Sequence, residues 1–400
     1  MRALLHPSAR RATAALLTLA AVGLAACGGA TRTDTQPAVA TGPTGARSAP
    51  VPDLAFPVLA TKNTTRVASA DAVITAAAVA RAVYPGGDTV AAPQAVALAD
   101  RRDWRGALAG AVLMAPPVRA PLLLTDNGEV PAVTAAALDA LDPTGLGGPT
   151  GAQAIRLGTA ASAPGLRGRA VPGNDAATLA ANIDQLRSQL AGRPSPSVVV
   201  VSADAPSYAM AAAAWAAKSG DPVLFVTRGG VPDPTRQAIA LHGRPRIYVL
   251  GPATVVAPAV VRQLQALGTV SRIGAPSAAA TAVAFARYAD GRFGWGVIDP
   301  GHGLVVASPT RPADAGAAAP LSASGSYGPL LLTDPKGGLP RAVRDYLLDI
   351  RPGYSSDPVR GVYNRAWIVG DARAVTPGAQ ASIDGLLEIA PVSNRPPQSP

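Results

Sequence analysis

The chain has 400 residues, of which 48% are hydrophobic and 15% charged, with 41 Gly, 40 Pro and a formal net charge of +10. That length suits two to four domains with sizeable cores. A single cysteine excludes a disulfide framework within one chain, and the positive balance favours acidic partners: nucleic acid, anionic lipid headgroups or phosphate- and carboxylate-bearing wall polymers.

Taken in chain order, residues 1–27 differ from the rest. Arg2, Arg10 and Arg11 precede an apolar stretch from Ala14 to Leu24, and the segment closes with Leu24-Ala25-Ala26-Cys27. A charged start, a short hydrophobic core and small residues before a cut are the anatomy of an export signal, too short to span a membrane as a mature anchor. The quartet resembles the bacterial lipobox, which implies acylation of Cys27, the protein's only cysteine. Several acyl chains would anchor stably where one alone is marginal. Residues 28–60, rich in Thr, Pro, Ala and Gly, read as a disordered tether. No second hydrophobic segment reaches the roughly 18 residues that a transmembrane helix needs. The mature chain is thus expected outside the cytoplasmic membrane, where nucleic acid drops from the partners, and loss of the three signal arginines leaves a charge of about +7.

From residue 61 onward three landmarks recur in the same order. An Arg followed nine positions later by Thr occurs at Arg66 and Thr75, Arg169 and Thr178, and Arg272 and Thr281, each pair 103 residues after the last. A proline-led apolar run ending in Thr follows, "PLLLT" to Thr125, "PVLFVT" to Thr227 and "PLLLT" to Thr333, and then a hydrophobic run closed by Gly158, Gly251 or Gly370. Shared phase among independent landmarks marks a threefold repeat, divided as 61–165, 166–268 and 269–395.

The middle repeat gives the plan. "SVVVVSA" is a β-branched run of strand length, and Pro206 opens an Ala-rich helix that Gly220 closes. "PVLFVT" is a second strand, Asp233 and Pro234 begin a second helix, and "RIYVL" is a third strand. A third helix near Pro258 places Val256, Val260, Leu264 and Leu267 on one face, and "TVSRI" is a short last strand. Strands alternating with helices, almost wholly apolar, imply parallel sheets covered on both faces, with the proline-led runs as buried central strands. In the other repeats "TVAA" and "LVVAS" stand where "VVVV" does. The first has only the link "TAASAPGLRG" after Gly158 in place of a helix, and the third carries an insertion, "RPGYSSDPVRGVYNR", the kind of surface excursion by which one copy acquires its own contacts. The fold class is α/β: three tandem small open parallel-sheet, Rossmann-like repeats.

Catalytic patterns are missing. His6 leaves with the signal, His242 and His302 stand alone and read as surface residues, and no HExxH, Cys/His cluster, GxSxG or phosphate-loop motif occurs. "GWGVIDPGHG" reads as a connecting loop, and Asp345 and Asp349 beside Arg341 and Arg344 as a solvated helix face. No enzyme activity, metal or cofactor is expected.

The runs "SRIGAPSAAATAVAFA", "VVVVSADAPSYAMAAAAWAAKSGDPVLFVT" and "RIYVLGPATVVAPAVVRQLQALGTV" resemble the type 2 cell wall-binding repeat of Gram-positive surface proteins. Similarity covers about 62 to 395 and is strongest in the middle copy. The resemblance implies three copies packed about a pseudo-threefold axis and non-covalent attachment to an anionic wall polymer, such as a secondary wall polymer or a teichoic acid-like chain. The family's Pro-Ile-Leu-Leu motif corresponds to Pro121–Leu124, Pro222–Phe225 and Pro329–Leu332, and Asp314 falls where the family often has Ala-Asp-Ala. The family's second Arg before the Thr is absent here. The repeated Arg and Thr have two readings: copied fold determinants, or an anion-facing edge at helix N-termini, where free N–H groups favour negative charge. The second makes Arg66, Arg169, Arg272, Thr75, Thr178, Thr281, Thr125, Thr227 and Thr333 candidates for polymer binding. A solute-binding lipoprotein serving a transporter is the alternative function, and it requires a deep cleft between two lobes.

Overall fold

In a computed structural model, the described residues are 59–67, 69–85, 92–148 and 150–392. The signal, the lipobox with Cys27 and nearly all of the tether lie outside them.

β1 (Leu59–Ala60), β2 (Thr64–Val67) and α1 (Ala72–Val83) lead into β3 (Val96–Asp100), α2 (Trp104–Gly110), β4 (Leu122–Thr125), α3 (Ala132–Leu141), β5 (Ala154–Leu157) and β6 (Gly168–Val171). The middle series is α4 (Ala176–Ala191), β7 (Ser197–Ser202), α5 (Pro206–Ser219), β8 (Val223–Val226), α6 (Asp233–Leu241), β9 (Arg246–Leu250), α7 (Pro258–Gln265) and β10 (Thr269–Ile273). The last is α8 (Ala278–Arg287), β11 (Gly303–Ala307), α9 (Ala313–Ala323), β12 (Leu330–Leu332), α10 (Arg341–Asp349), β13 (Gly353–Tyr354), β14 (Arg365–Val369), α11 (Pro377–Leu387) and β15 (Ala390–Pro391).

Local chemistry explains the punctuation. Asp71, Asp175 and Ser277 cap α1, α4 and α8 by accepting from backbone N–H groups of the first turn, and Gly220 ends α5 in the left-handed region at φ 79°. Three larger sheets result, ordered β4-β3-β5-β6, β8-β7-β9-β10 and β12-β11-β14-β2, with β1 added antiparallel beside β2, and a fourth of two strands pairs β13 with β15. Every other pairing in these sheets is parallel.

The strand that opens each repeat in sequence pairs with the sheet before it. β6 and β10, bearing Arg169 and Arg272, complete the first and second sheets. β2, bearing Arg66, has no earlier sheet and joins the third, with Thr64 beside Ala366 and Val67 beside Val369. The chain thereby closes on itself, and its sheets run out of step with the sequence repeats.

The three sheets surround a shared centre. There α2 and the turn Ala111–Met114 pack with α5 and α9, the equivalent helices of the three repeats, in mutual contact. Their alanines, fully or nearly fully buried, have no long side chain to hold the backbones apart. Closest approach falls at Gly316, where an added Cβ would stand 2.3 Å from the Ala107 carbonyl oxygen. Backbone there cannot move aside cheaply, so Gly316→Val is expected to destabilise by about 1–3 kcal/mol, read as a lower urea midpoint. Gly378→Ala on α11, where an added Cβ meets nothing within 4 Å, should be neutral or slightly stabilising.

Two expectations need correction. The strand equivalent to "VVVV" in the first repeat is Val96–Asp100, whereas "TVAA" lies almost wholly outside the described residues; only Ala92 of it is described, and it is not in a strand. The proline-led runs form β4, β8 and β12, which are sheet edges and not central strands. They are buried because α1, α4 and α8 pack against them. In the first repeat no helix lies between β5 and β6, as the short link indicates.

Candidate polymer-binding site

The repeated arginines lie near the strand ends of three different sheets and do not converge. Arg66 and Arg272 immediately precede Val67 and Ile273, whose carbonyls accept from the closing glycines Gly370 and Gly251, but in the first sheet that place is Ala170's, and Arg169 stands one residue earlier, on the other face of its strand. Arg66 is 4% exposed. Its Nε donates to Gln380 Oε1 at 2.7 Å, Nη1 to the carbonyls of Gly370 and Asp371 at 2.9 Å each, and Nη2 to Val375 O at 2.8 Å. Four of its five donors are thereby used inside the fold. Arg272 repeats the clamp with Gly251 O and Val256 O, both at 2.7 Å. Desolvation lowers the pKa of both guanidinium groups, with Asp371 acting the other way on Arg66. Each holds the loop that leaves the third strand of its sheet, so the anion-facing reading does not hold for these two. Arg169 makes no such clamp, because it is one residue out of register and points to the other face of β6; its guanidinium donates only to Gln189 Oε1, at 3.2 Å, among the contacts described.

The threonines are mostly committed as well. Thr75 donates to Asp71 O, Thr281 donates to Ala275 O and accepts from Ala275 N, and Thr178 donates to Asp175 Oδ2. Thr125 accepts from Ala161 N and Thr333 lies against Ala374 O, both buried, while Thr227 is exposed in a turn with Gly230. Asp314 is fully buried and pairs with Arg311 at 2.7 Å, and Arg311 donates to Ser69 O at 2.7 Å. Burial pushes the Asp314 carboxyl up to about 6 against the pull of Arg311. This pair fastens the loop after β2 to the third repeat and is directed inward.

His242 overturns its surface reading. Its side chain is 1% exposed, with Nδ1 2.7 Å from Ser195 O and Nε2 2.7 Å from Asp184 Oδ2. A carbonyl and a carboxylate both require donors, which a neutral imidazole cannot supply at both nitrogens. The ring is therefore imidazolium. Burial alone would lower its pKa, but the hydrogen bond and charge of Asp184 outweigh it and the net shift is upward. His302 is partly exposed and lies 3.2 Å from Asp299. Among the described residues no group of three or more His, Cys, Asp or Glu could hold a metal ion.

A different place gathers charge. Between the C-terminal ends of α4 and α5, the loop at 292–295 and Tyr327 lies a cavity of about 500 Å³. Arg187, Arg193, Lys218 and Arg292 line it with one carboxylate, Asp221, and with Trp215, Trp295 and Tyr327. Aromatic residues make up only 4% of the chain, so three around one cavity is a concentration. Lys218 Nζ sits 3.2 Å from the Tyr327 ring centroid, and Trp215 meets Trp295 edge-on at 5.4 Å. Asp221 is held by Trp215 Nε1 at 2.7 Å and by Ser195 and Ser219. Burial raises its pKa while those hydrogen bonds and Arg187 oppose the rise. Burial lowers the Arg187 pKa, and that residue donates to Pro116 O at 3.0 Å. Forked guanidinium donors suit phosphate and carboxylate, and the electron-rich ring faces suit the C–H face of a sugar. Sequence patterning missed this set because its members lie in four segments and share no repeat phase. The scarcity of lysine, found only at 62, 218 and 336, was the available signal.

Residues 171–261, from the end of β6 into α7, match the Cell wall binding domain 2 (CWB2) family. The chain therefore carries a cell wall-binding domain of that family. Its three-sheet architecture is similar to that of Cwp8 from Clostridium difficile, at 17% identity and TM-score 0.63 over 81% of this chain and 52% of that one. Cwp6 from Clostridium difficile is similar at 16% identity and TM-score 0.63, over 82% and 48%. The chain thus spans about half the length of these structures, and the likeness is one of fold. No curated protein matches the sequence.

Proposed function

We propose that this protein is exported, acylated at Cys27 and bound non-covalently to an anionic cell wall polymer, so that it ties the membrane to the wall. The cavity lined by Arg187, Arg193, Lys218 and Arg292 is its principal contact, with Arg169 as an outlying one. The observation that carries this reading is four cations against one carboxylate around aromatic faces, in contact with the segment that matches the wall-binding family. Attachment is electrostatic and weakens with salt. Domain limits follow the repeats at 61–165, 166–268 and 269–395, with each opening strand lent to the preceding sheet. No catalytic step is part of this function. A transporter's solute receptor fits less well, because three sheets share one centre where that reading needs two lobes and a cleft.

The site is tested by reversing its rim. Arg193→Glu with Arg292→Glu, both at exposed positions, is expected to weaken binding to purified walls about tenfold or more, equivalent to roughly 1.4 kcal/mol. Arg341→Glu with Arg344→Glu, the same change of charge at exposed positions outside the cavity, should change binding little. Equal losses in both would show that net charge alone is read and would remove the cavity from the account.

A further inference from the structure

The insertion of the third repeat forms an exposed loop with apolar groups at its tip, a hairpin in course only, since its two limbs do not pair with each other, and the wall reading does not use it. Val359 is 82% exposed, Val362 52% and Tyr363 44%. Val359 lies within a 3-10 turn at Pro358–Arg360 that Asp357 caps, Val362 and Tyr363 follow it, and Tyr363 Oη donates to Pro358 O at 2.8 Å, so the turn is built and its apolar groups are held outward. Exposed aliphatic side chains gathered on one short loop call for a covering surface.

The position of the hairpin identifies that surface. β13, at its base, pairs with β15, and Arg351 Nε donates to Glu388 O at the end of α11. Glu388 is also the ion-pair partner of Lys62, which stands between β1 and β2. The Tyr363 phenol lies near enough to contribute to the raised pKa of Lys62, after the larger effect of Glu388. Hairpin, C-terminal strand and entry of the N-terminal segment therefore share one end of the fold. Residues 28–58 connect that entry to Cys27. Around the apolar tip, residues 351–365 hold three arginines, at 351, 360 and 365, against the single acid Asp357.

We propose that this hairpin rests on the anionic lipid bilayer, Val359 and Val362 entering the headgroup boundary while Tyr363 and the arginines stay at its polar level. Such a layout matches the division of roles at membrane interfaces, where aliphatic groups enter, aromatic groups with a polar tip lie at the boundary and basic groups meet lipid phosphates. The contact rests on the lipid-anchor part of the proposed function and not on the wall ligand. An anchor at Cys27 raises the local lipid concentration, so a weak second contact suffices to orient the molecule.

The test uses the full-length acylated chain in phosphatidylglycerol vesicles. Cys27 is the only cysteine, so Val359→Cys carries an environment-sensitive fluorophore alone once Cys27 is acylated. The mass of the N-terminal peptide scores acylation separately. The expected result is a blue shift on vesicle addition and quenching by a lipid-phase quencher, several-fold weaker in phosphatidylcholine. No response is expected from Gln237→Cys on the exposed face of α6. A probe at 359 that keeps its aqueous spectrum overturns the membrane contact whether or not Cys27 is acylated. A shift that needs no vesicles and grows with protein concentration assigns the hairpin to a second copy of the chain and overturns it as well.

Discussion

Replacing Arg66 by alanine is expected to lower the free energy of unfolding by about 3–5 kcal/mol, although the residue lies in the first described segment of the chain. The change leaves the carbonyls of Gly370, Asp371 and Val375 and the amide of Gln380 without their donor inside a closed loop. Each unsatisfied buried group costs about 1–3 kcal/mol and hydrogen bonds to charge are the strong ones. The series has a built-in gradient. Arg272→Ala loses two carbonyl partners at a half-buried site and should cost less, about 1–3 kcal/mol. Arg169→Ala, at the exposed copy, should stay within about 0.5 kcal/mol. Urea unfolding of the three variants checks the order. Equal effects at all three positions would mean that the clamp is not what the recurring arginine does.

The second large effect is at His242. His242→Leu leaves the buried Asp184 side chain without its imidazole partner, a loss of about 3–5 kcal/mol. The pair also sets a pH dependence with a definite sign. The folded-state pKa of His242 is raised above 6.5, so its contribution is fully present below about 6.5 and is lost as pH rises through the folded value. The protein should therefore be more stable at pH 6 than at pH 9 in this respect. His242→Gln should flatten that part of the profile. A wild-type stability that rises steadily from pH 6 to pH 9 by an amount the glutamine variant abolishes would show a neutral ring.

The repeat, its alternation of strand and helix and the missing helix of the first copy were legible because each rests on local pattern: β-branched runs, alanines between Pro and Gly, and a link too short to hold a helix. Which sheet each opening strand joins was not legible. The landmark Arg66 marks where a repeat opens and does not say which sheet Thr64–Val67 joins, and only closure around three repeats supplies the partner β14. The edge position of "PLLLT" was hidden for a related reason, since α1, α4 and α8 bury an edge as fully as two neighbouring strands would. His242 looked isolated because Asp184 and Ser195 are far off in sequence. Recurrence of Arg and Thr marked true equivalence for Arg66 with Arg272 and Thr75 with Thr281, while Arg169 and Thr178 fall one residue out of register; copied residues report what the fold needs. The cation-lined cavity lies where the copies differ, as does the apolar hairpin, and a repeat-based search passes over such places.

The most direct measurement is sedimentation of the purified protein with cell walls, intact and stripped of their anionic polymers, across a salt series. The account predicts binding to intact walls that falls steadily as salt rises and is absent from stripped walls. Equal binding to both preparations, or binding indifferent to salt, would contradict recognition of an anionic wall polymer.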